Sequence, residues 1–199
     1  MTKDTSSFAV FIIGTGRSGT SLITQALDKL GLMLPDDPVP ASENNLRGTG
    51  ESIAVRDKMV ALSQALGVVA AGLPADWQSS PAGKDAADWA KSYLSAQRNR
   101  AQKRGFVVKF PMASVFLPLW IGAAARIGLE LRFLWATRNI ADTHQSLMRS
   151  YNQLENTATL RIAQRCFYIL RDAPPDTLLL PYEGWSDVPK VQVAALATL

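Results

Sequence analysis

Four short apolar runs set the frame of this chain. Phe8-Ala-Val-Phe-Ile-Ile13 is continuous, rich in β-branched and aromatic residues, and stops at a glycine. An apolar run of that length without alternation predicts a strand buried on both faces, the central strand of a sheet. Similar runs occupy 106–109, 131–136 and 178–180, each preceded by a helical stretch and most followed by one. Strand alternating with helix predicts a parallel sheet. The helical pattern is placed at 20–30, 52–66, 85–103, 114–127, 140–151, 157–172 and 188–197. Gly31, Gly67, Gly105 and Gly128 follow the first four of these, where a left-handed C-terminal cap uses glycine.

The segments 34–50 and 72–83 are rich in Pro, Gly, Ser, Asn and Asp and read as long loops. Neither an internal repeat nor a linker separates two cores, so 1–199 reads as one domain, with 52–104 as a helical insertion able to pack as a cap. A chain of 199 residues that is 47% hydrophobic is sufficient for such a core.

Charge adds little: 21 basic against 17 acidic residues give a net +4, a mild preference for anions that does not single out nucleic acid. Cys166 is the single cysteine, so no internal disulfide forms and a reducing cytoplasm is the simplest setting. The start of the chain has no cationic segment leading into a long apolar stretch, and 8–13 is far short of a membrane span. These features predict a soluble, unprocessed cytoplasmic protein with no membrane contact.

The candidate chemistry begins where the first strand ends. Gly14-Thr-Gly-Arg-Ser-Gly-Thr-Ser21 leaves that strand and opens a helix. Backbone N–H groups and the positive helix end then converge on one point, a geometry that binds phosphate or sulfate. Gly14, Gly16 and Gly19 satisfy the dinucleotide fingerprint, while Gly14 and Gly19 also have the Walker spacing, so spacing alone does not choose. Thr20 stands where a Walker lysine belongs, although Ser21 keeps the hydroxyl position that touches magnesium. The run 131–136 leads into Thr137 and Arg138 and not into a magnesium aspartate, so no metal is expected. Against a nicotinamide site, Asp36 and Asp37 lie in a proline-rich loop and not at a strand end. Arg17, inside the turn, replaces the missing lysine with a fork suited to an anion's oxygens. A glycine turn of this kind also serves tight packing alone.

These residues resemble the phosphosulfate loop of the sulfotransferase superfamily, Gly-x-x-[Lys/Arg]-Ser-Gly-Thr-[Thr/Ser]-Leu, here running from Gly14 through Arg17 to Leu22. The superfamily's second signature, a strand-end arginine with a serine eight positions on, is matched by Arg138 and Ser146. Further similarity to bacterial members runs through Val107-Val-Lys-Phe-Pro111, Leu117-Pro-Leu-Trp120 and Leu180-Pro-Tyr-Glu183, nearly the length of the chain. The resemblance implies a P-loop-like three-layer α/β/α fold with a parallel sheet of four or five strands and a helical insertion. It implies transfer of a sulfuryl group from 3′-phosphoadenosine-5′-phosphosulfate (PAPS) to a hydroxyl or amine acceptor. Gly16, Arg17, Ser18, Gly19, Thr20 and Ser21 would hold the 5′-phosphosulfate, and Arg138 and Ser146 the 3′-phosphate.

In-line sulfuryl transfer needs fixed positive charge at the leaving oxygen and a base for the acceptor proton. Arg17 and the helix N-terminus supply the first, and Lys109 resembles the lysine of the family's Lys-Thr-His segment. The family's histidine position holds Pro111, and His144 reads as a packed or solvated helix residue. Glu51 is the candidate base by resemblance to tyrosylprotein and bacterial members. Its other reading is a carboxylate favouring the start of the next helix, and Arg47 would orient base or acceptor. After Glu183 no version of the cytosolic members' basic C-terminal loop is recognisable. The competing functions are a metal-assisted P-loop phosphotransferase and a non-catalytic nucleotide or polyanion binder.

Other features have plainer readings. Ala163, Cys166, Phe167 and Leu170 form a helical stripe, which predicts a core face containing Cys166. Arg98, Arg100, Lys103 and Arg104 predict a solvated face near a helix end, and Arg149 a solvated arginine or extra positive potential beside Ser146. Trp77, Trp89, Trp120 and Trp185 are unsorted between an acceptor pocket and core anchors.

Overall fold

A computed structural model describes residues 7–43, 46, 48–68, 72–152 and 154–198. In chain order the elements are β1 Phe8–Gly14, α1 Thr20–Lys29, α2 Ile53–Ala65, α3 Pro81–Ala101 and β2 Phe106–Lys109. A 3-10 segment, Pro111–Phe116, leads into α4 Leu117–Ala125. Then come β3 Glu130–Thr137, α5 Ile140–Tyr151, α6 Glu155–Asp172, β4 Leu178–Pro181, α7 Gly184–Asp187 and α8 Pro189–Ala197.

The four strands form a parallel sheet in the order β2-β1-β3-β4. β1 therefore has a strand on each side, and its residues alternate between two apolar layers. Ala9, Phe11 and Ile13 face a core shared with Met59 of α2, Leu94 of α3, Trp120 of α4 and Ile169 of α6. Val10 and Ile12 face Ile23 and Leu27 of α1 and Leu196 of α8. The continuous apolar run is thus explained by helices on both faces, each buried large side chain contributing about 1.5–3 kcal/mol. Trp120 is fully buried, its ring 5.2 Å from that of Phe11. The segment 31–34 extends the β2 edge by one bridge, Met33 to Phe106.

Helix limits follow local chemistry. α3 begins four residues before the predicted start because Ser80 accepts the Gly83 N–H and Pro81 suits the first turn. The predicted helix 114–127 is divided, since Pro118 lacks the N–H that would continue an α-helix back through Ser114. Gly31, Gly67 and Gly128 take left-handed conformations as expected, but Gly105 does not. α3 stops at Gln102, which itself has positive φ, and Gly105 is required by the Phe8 ring, 2.5 Å from where a Cβ would lie. The helices of 52–104 share the core cluster of β1 and β3.

One helix face departs from expectation. On α6 the buried positions are Ala158, Ile162, Arg165, Tyr168 and Ile169, whereas Phe167 and Leu170 are exposed. Cys166 is half-buried, packed against the small cluster of Leu147, Ala158 and Ile162 in the wall of an apolar cavity between α5 and α6 and not in the layers beside the sheet, and partial burial raises its thiol pKa. The stripe at 163, 166, 167 and 170 is real as a pattern, but the sheet takes the adjacent face. Among the described residues no helix is long and apolar enough to cross a membrane.

This assignment of faces is open to test by chemical denaturation. Ile169→Ala is expected to cost about 2–4 kcal/mol, and the neighbouring Leu170→Ala no more than about 0.5 kcal/mol. The reverse order would restore the stripe first read from the sequence.

Candidate functional site

The loop between β1 and α1 lies at the carboxyl edge of the sheet, where open parallel sheets present ligand sites. Its shape depends on backbone conformations that L side chains avoid. Gly16 has φ +79° and Gly19 φ +93°, and Arg17 itself is left-handed at φ +60°. A Cβ at Gly19 would lie 2.7 Å from the Tyr182 ring, so glycine is required there by both conformation and contact. Gly19 then starts α1, its carbonyl accepting the N–H groups of Leu22 and Ile23. Ser114 brackets the loop's entry, its hydroxyl accepting from the Gly14 N–H at 3.1 Å.

The two halves of the predicted nucleotide site meet. Arg17 donates through Nε to Ser146 Oγ at 3.0 Å, a contact across 129 positions of sequence. Arg138 donates to the Arg17 carbonyl at 3.3 Å and stacks over the Tyr182 ring at 4.6 Å. Arg17, Gly19, Thr20, Ser21, Leu22, Arg138 and Tyr182 line a cavity of about 210 Å³. Ser18 is not in that wall. It is buried beneath the loop with its hydroxyl unpartnered, as is the Arg138 Nε.

Tyr182 and Glu183 hold this edge together. The Tyr182 N–H donates to the Thr137 carbonyl at 2.8 Å, continuing the β3–β4 pairing. The Glu183 carboxylate accepts the Asn139 N–H at 2.9 Å, and that hydrogen bond holds its pKa below the usual range. Asn139 in turn caps α5 by accepting from the Ala141 and Asp142 N–H groups. The Tyr-Glu pair thereby fixes both Arg138 and the helix carrying Ser146.

At the other side of the loop, Lys109 ends β2 with its side chain almost wholly buried. Its ammonium donates to Glu51 Oε1 at 2.5 Å, to the Thr49 carbonyl at 3.1 Å and to Ser21 Oγ at 3.3 Å. Desolvation lowers the Lys109 pKa, and the Glu51 charge opposes that shift. Glu51 immediately precedes Ser52, the N-cap of α2, which accepts the Val55 N–H. Asp37 secures the same turn by accepting from Ser52 Oγ at 2.9 Å and from the Ala54 N–H at 2.8 Å. Lys109, Glu51 and Ser21 form one buried polar cluster beside the cradle. Arg47 lies outside the described residues.

The remaining candidates resolve into structural roles. His144 is held between α5 and α6 by the Glu155 carbonyl and the Thr159 hydroxyl. Arg98 donates to the Ile127 carbonyl and Arg100 to the Leu34 carbonyl, so half of that basic cluster ties loops to α3. Trp77 and Trp120 belong to the core, Trp89 stacks on Tyr93, and Trp185 packs against the α1 layer. Arg149 is exposed on α5.

Arg165 was missed by sequence reasoning. It projects from the buried face of α6 and donates through Nη1 to the Thr15 carbonyl inside the loop. The signal was the spacing of Ala158, Ile162 and Ile169, which places position 165 on the buried face despite its charge.

No family model matches this chain, and no curated protein does. Among solved structures it is similar to the tunicamycin resistance protein of Deinococcus radiodurans, at 15% identity and TM-score 0.53, covering 97% of this chain and 96% of that one. It is also similar to the sulfotransferase domain of the Synechococcus PCC 7002 olefin synthase, at 20% identity and TM-score 0.56, covering 96% of this chain and 72% of that one. A sulfotransferase domain from the curacin biosynthetic pathway gives 16% identity and TM-score 0.55, covering 96% and 73% respectively. These likenesses establish the P-loop-like α/β fold.

Removal of Glu51 tests the buried cluster. Glu51→Ala is expected to destabilise by about 3 kcal/mol at neutral pH, because it strands a buried ammonium. Lys109→Met in the same chain should recover much of that loss in a double-mutant cycle. A depressed lysine pKa means that, between the folded and unfolded values, the unfolded chain binds more protons. Stability of Glu51→Ala should therefore rise with pH through that window. A cost independent of both pH and the second substitution would contradict the pairing.

Proposed function

We propose that this protein is a sulfotransferase that moves the sulfuryl group of 3′-phosphoadenosine-5′-phosphosulfate to a hydroxyl or amine acceptor. The reading is carried by the cation at Ser21. A Walker loop uses that hydroxyl to hold magnesium against a triphosphate. Here the Lys109 ammonium lies 3.3 Å from it and is paired with Glu51. A phosphosulfate linkage carries less negative charge than a triphosphate, and side-chain cations are suited to stabilise it.

In this reading the N–H groups of 16–21 and the α1 terminus cradle the 5′-phosphosulfate. Arg138 and Ser146 take the 3′-phosphate, and Tyr182 and Leu22 border the space for the nucleoside. The acceptor oxygen or nitrogen attacks sulfur in line and its proton passes to the Glu51 carboxylate. The sulfur bond to the bridging oxygen breaks, and its electron pair leaves with adenosine 3′,5′-bisphosphate. Arg17 and Lys109 face the charge that develops on that oxygen. Lys109 contacts the base and the loop together, so proton transfer and leaving-group departure act on one ammonium. Sulfotransferase domains among the structural neighbours support the reading at the level of fold.

Two measurements decide it. In calorimetry, adenosine 3′,5′-bisphosphate should bind without metal and more tightly than magnesium ATP, whereas a phosphotransferase would reverse the order and ignore a 3′-phosphate. Arg138→Ala should weaken the bisphosphate by about tenfold or more, the loss of a charge-assisted hydrogen bond, and should weaken adenosine 5′-phosphate distinctly less, since that ligand feels only the loss of the hold on the Arg17 carbonyl. Equal losses for both ligands would remove the 3′-phosphate assignment. Labelled sulfate transfer to a panel of hydroxyl and amine acceptors separates an enzyme from a binding protein.

A further inference from the structure

Arg165 combines burial, charge and position in a way the fold does not require. Its residue exposure is 8%, and among the described residues no carboxylate pairs with it. Glu51, whose charge it feels, is already held by Lys109. Burial, and then the like charge of Arg161, push its pKa down to about 10, so it remains a cation at neutral pH. A buried guanidinium without an acidic partner is unfavourable for folding, and an apolar side chain of similar volume would serve α6 at least as well.

The guanidinium ends at the anion loop. It donates to the Thr15 carbonyl, and its Nη1 lies 3.2 Å from the point where a Cβ on Gly16 would stand. In a trans peptide the carbonyl and the following N–H point in opposite directions. Clamping the Thr15 carbonyl toward α6 therefore turns the Gly16 N–H away from it. Arg138 does the same at the Arg17 carbonyl and so directs the Ser18 N–H. Alternate carbonyls of the loop are thus held by two arginines, which leaves the Gly16 and Ser18 N–H groups pre-aimed before any ligand arrives. Preorganisation of this kind removes ordering cost from the binding step.

We propose that Arg165 is a positioning residue of the anion cradle: it sets the Thr15–Gly16 peptide, and the bound 5′-anion completes its missing counter-charge. The inference rests on reading the loop as an anion site and is independent of which nucleotide fills it.

The test uses the full chain carrying Arg165→Met or Arg165→Lys. The unliganded thermal midpoint is measured, together with calorimetric affinity for adenosine 3′,5′-bisphosphate and for adenosine 3′-phosphate. For Arg165→Met the bisphosphate should weaken by about tenfold or more, adenosine 3′-phosphate should change by less than about threefold, and the unliganded midpoint should hold or rise. Arg165→Lys, which keeps the charge and loses the fork, should fall between wild type and Met on the bisphosphate alone. If the wild type binds ATP and not the bisphosphate, the sulfuryl-donor reading fails. The comparison of ATP with adenosine then decides Arg165 on the same criterion. A packing role predicts a lowered midpoint and equal losses for both ligands, and that result, or no loss for either, would overturn the proposal. So would a wild-type protein that binds no 5′-phosphorylated ligand.

Discussion

Positive charge concentrated at the carboxyl edge of a small parallel sheet is the constraint around which this protein is arranged. Arg17, Lys109, Arg138 and Arg165 reach the same loop from four elements, and Glu51 is the acidic side chain paired among them. Like charges repel at short range, and desolvation makes each buried one more costly. Backbone carbonyls offset part of this: Thr15 and Arg17 of the loop, and Thr49 of the turn before α2, each accept from one of the four. Each carbonyl turned toward a cation leaves a neighbouring N–H turned elsewhere. Charge and backbone geometry are therefore one device, and in the proposed reading an anion of suitable shape would relieve what the protein cannot relieve internally.

That constraint explains why distant parts of the chain are tied so closely. β1 contributes the loop, β2 the lysine, β3 the arginine, and the turn before α2 the glutamate. Parallel strands place all these ends on one edge without further instruction. The side chains beyond the edge need separate fixing. Asp37 caps the turn that holds Glu51 in place, and Glu183 binds the residue that caps α5. Neither carboxylate takes part in the cradle, yet each fixes a group that does.

The strands and the loop were legible in the sequence because their signals are local. A both-faces-buried strand is a continuous apolar run, and a glycine turn opening a helix is written within eight residues. The union of Arg17 with Ser146 was legible only through paired signatures, since nothing local in either segment requires the contact. α6 was misread for a physical reason. Its outer face carries Phe167 and Leu170, its inner face Arg165, and a hydrophobicity pattern weights the two faces by residue type and not by what they meet. The inner face meets the Thr15 carbonyl of the loop, for which an arginine is a complementary side chain. Gly105 shows the same limit on a smaller scale, being required by the Phe8 ring and not by the helix end before it.

Lys109 gains its meaning from what it displaces. A hydroxyl at the start of α1 beside a carboxylate is a common arrangement for holding a divalent ion, and Ser21 and Glu51 provide those two ligand types. Between them stands an ammonium that is anchored covalently to β2 and desolvated by the same core that buries the strand. A fixed ammonium cannot dissociate and carries one charge, so it suits a ligand whose charge is modest and whose leaving group needs a proton-like donor more than a Lewis acid. Its lowered pKa strengthens that case, because a less basic ammonium is a better hydrogen-bond donor to an oxygen gaining charge. The carboxylate that pairs with it opposes that lowering and favours the charged form. In the proposed sulfuryl transfer, the acceptor's proton reaching Glu51 would weaken that pairing and free Lys109 toward the departing oxygen at the point when its charge is needed.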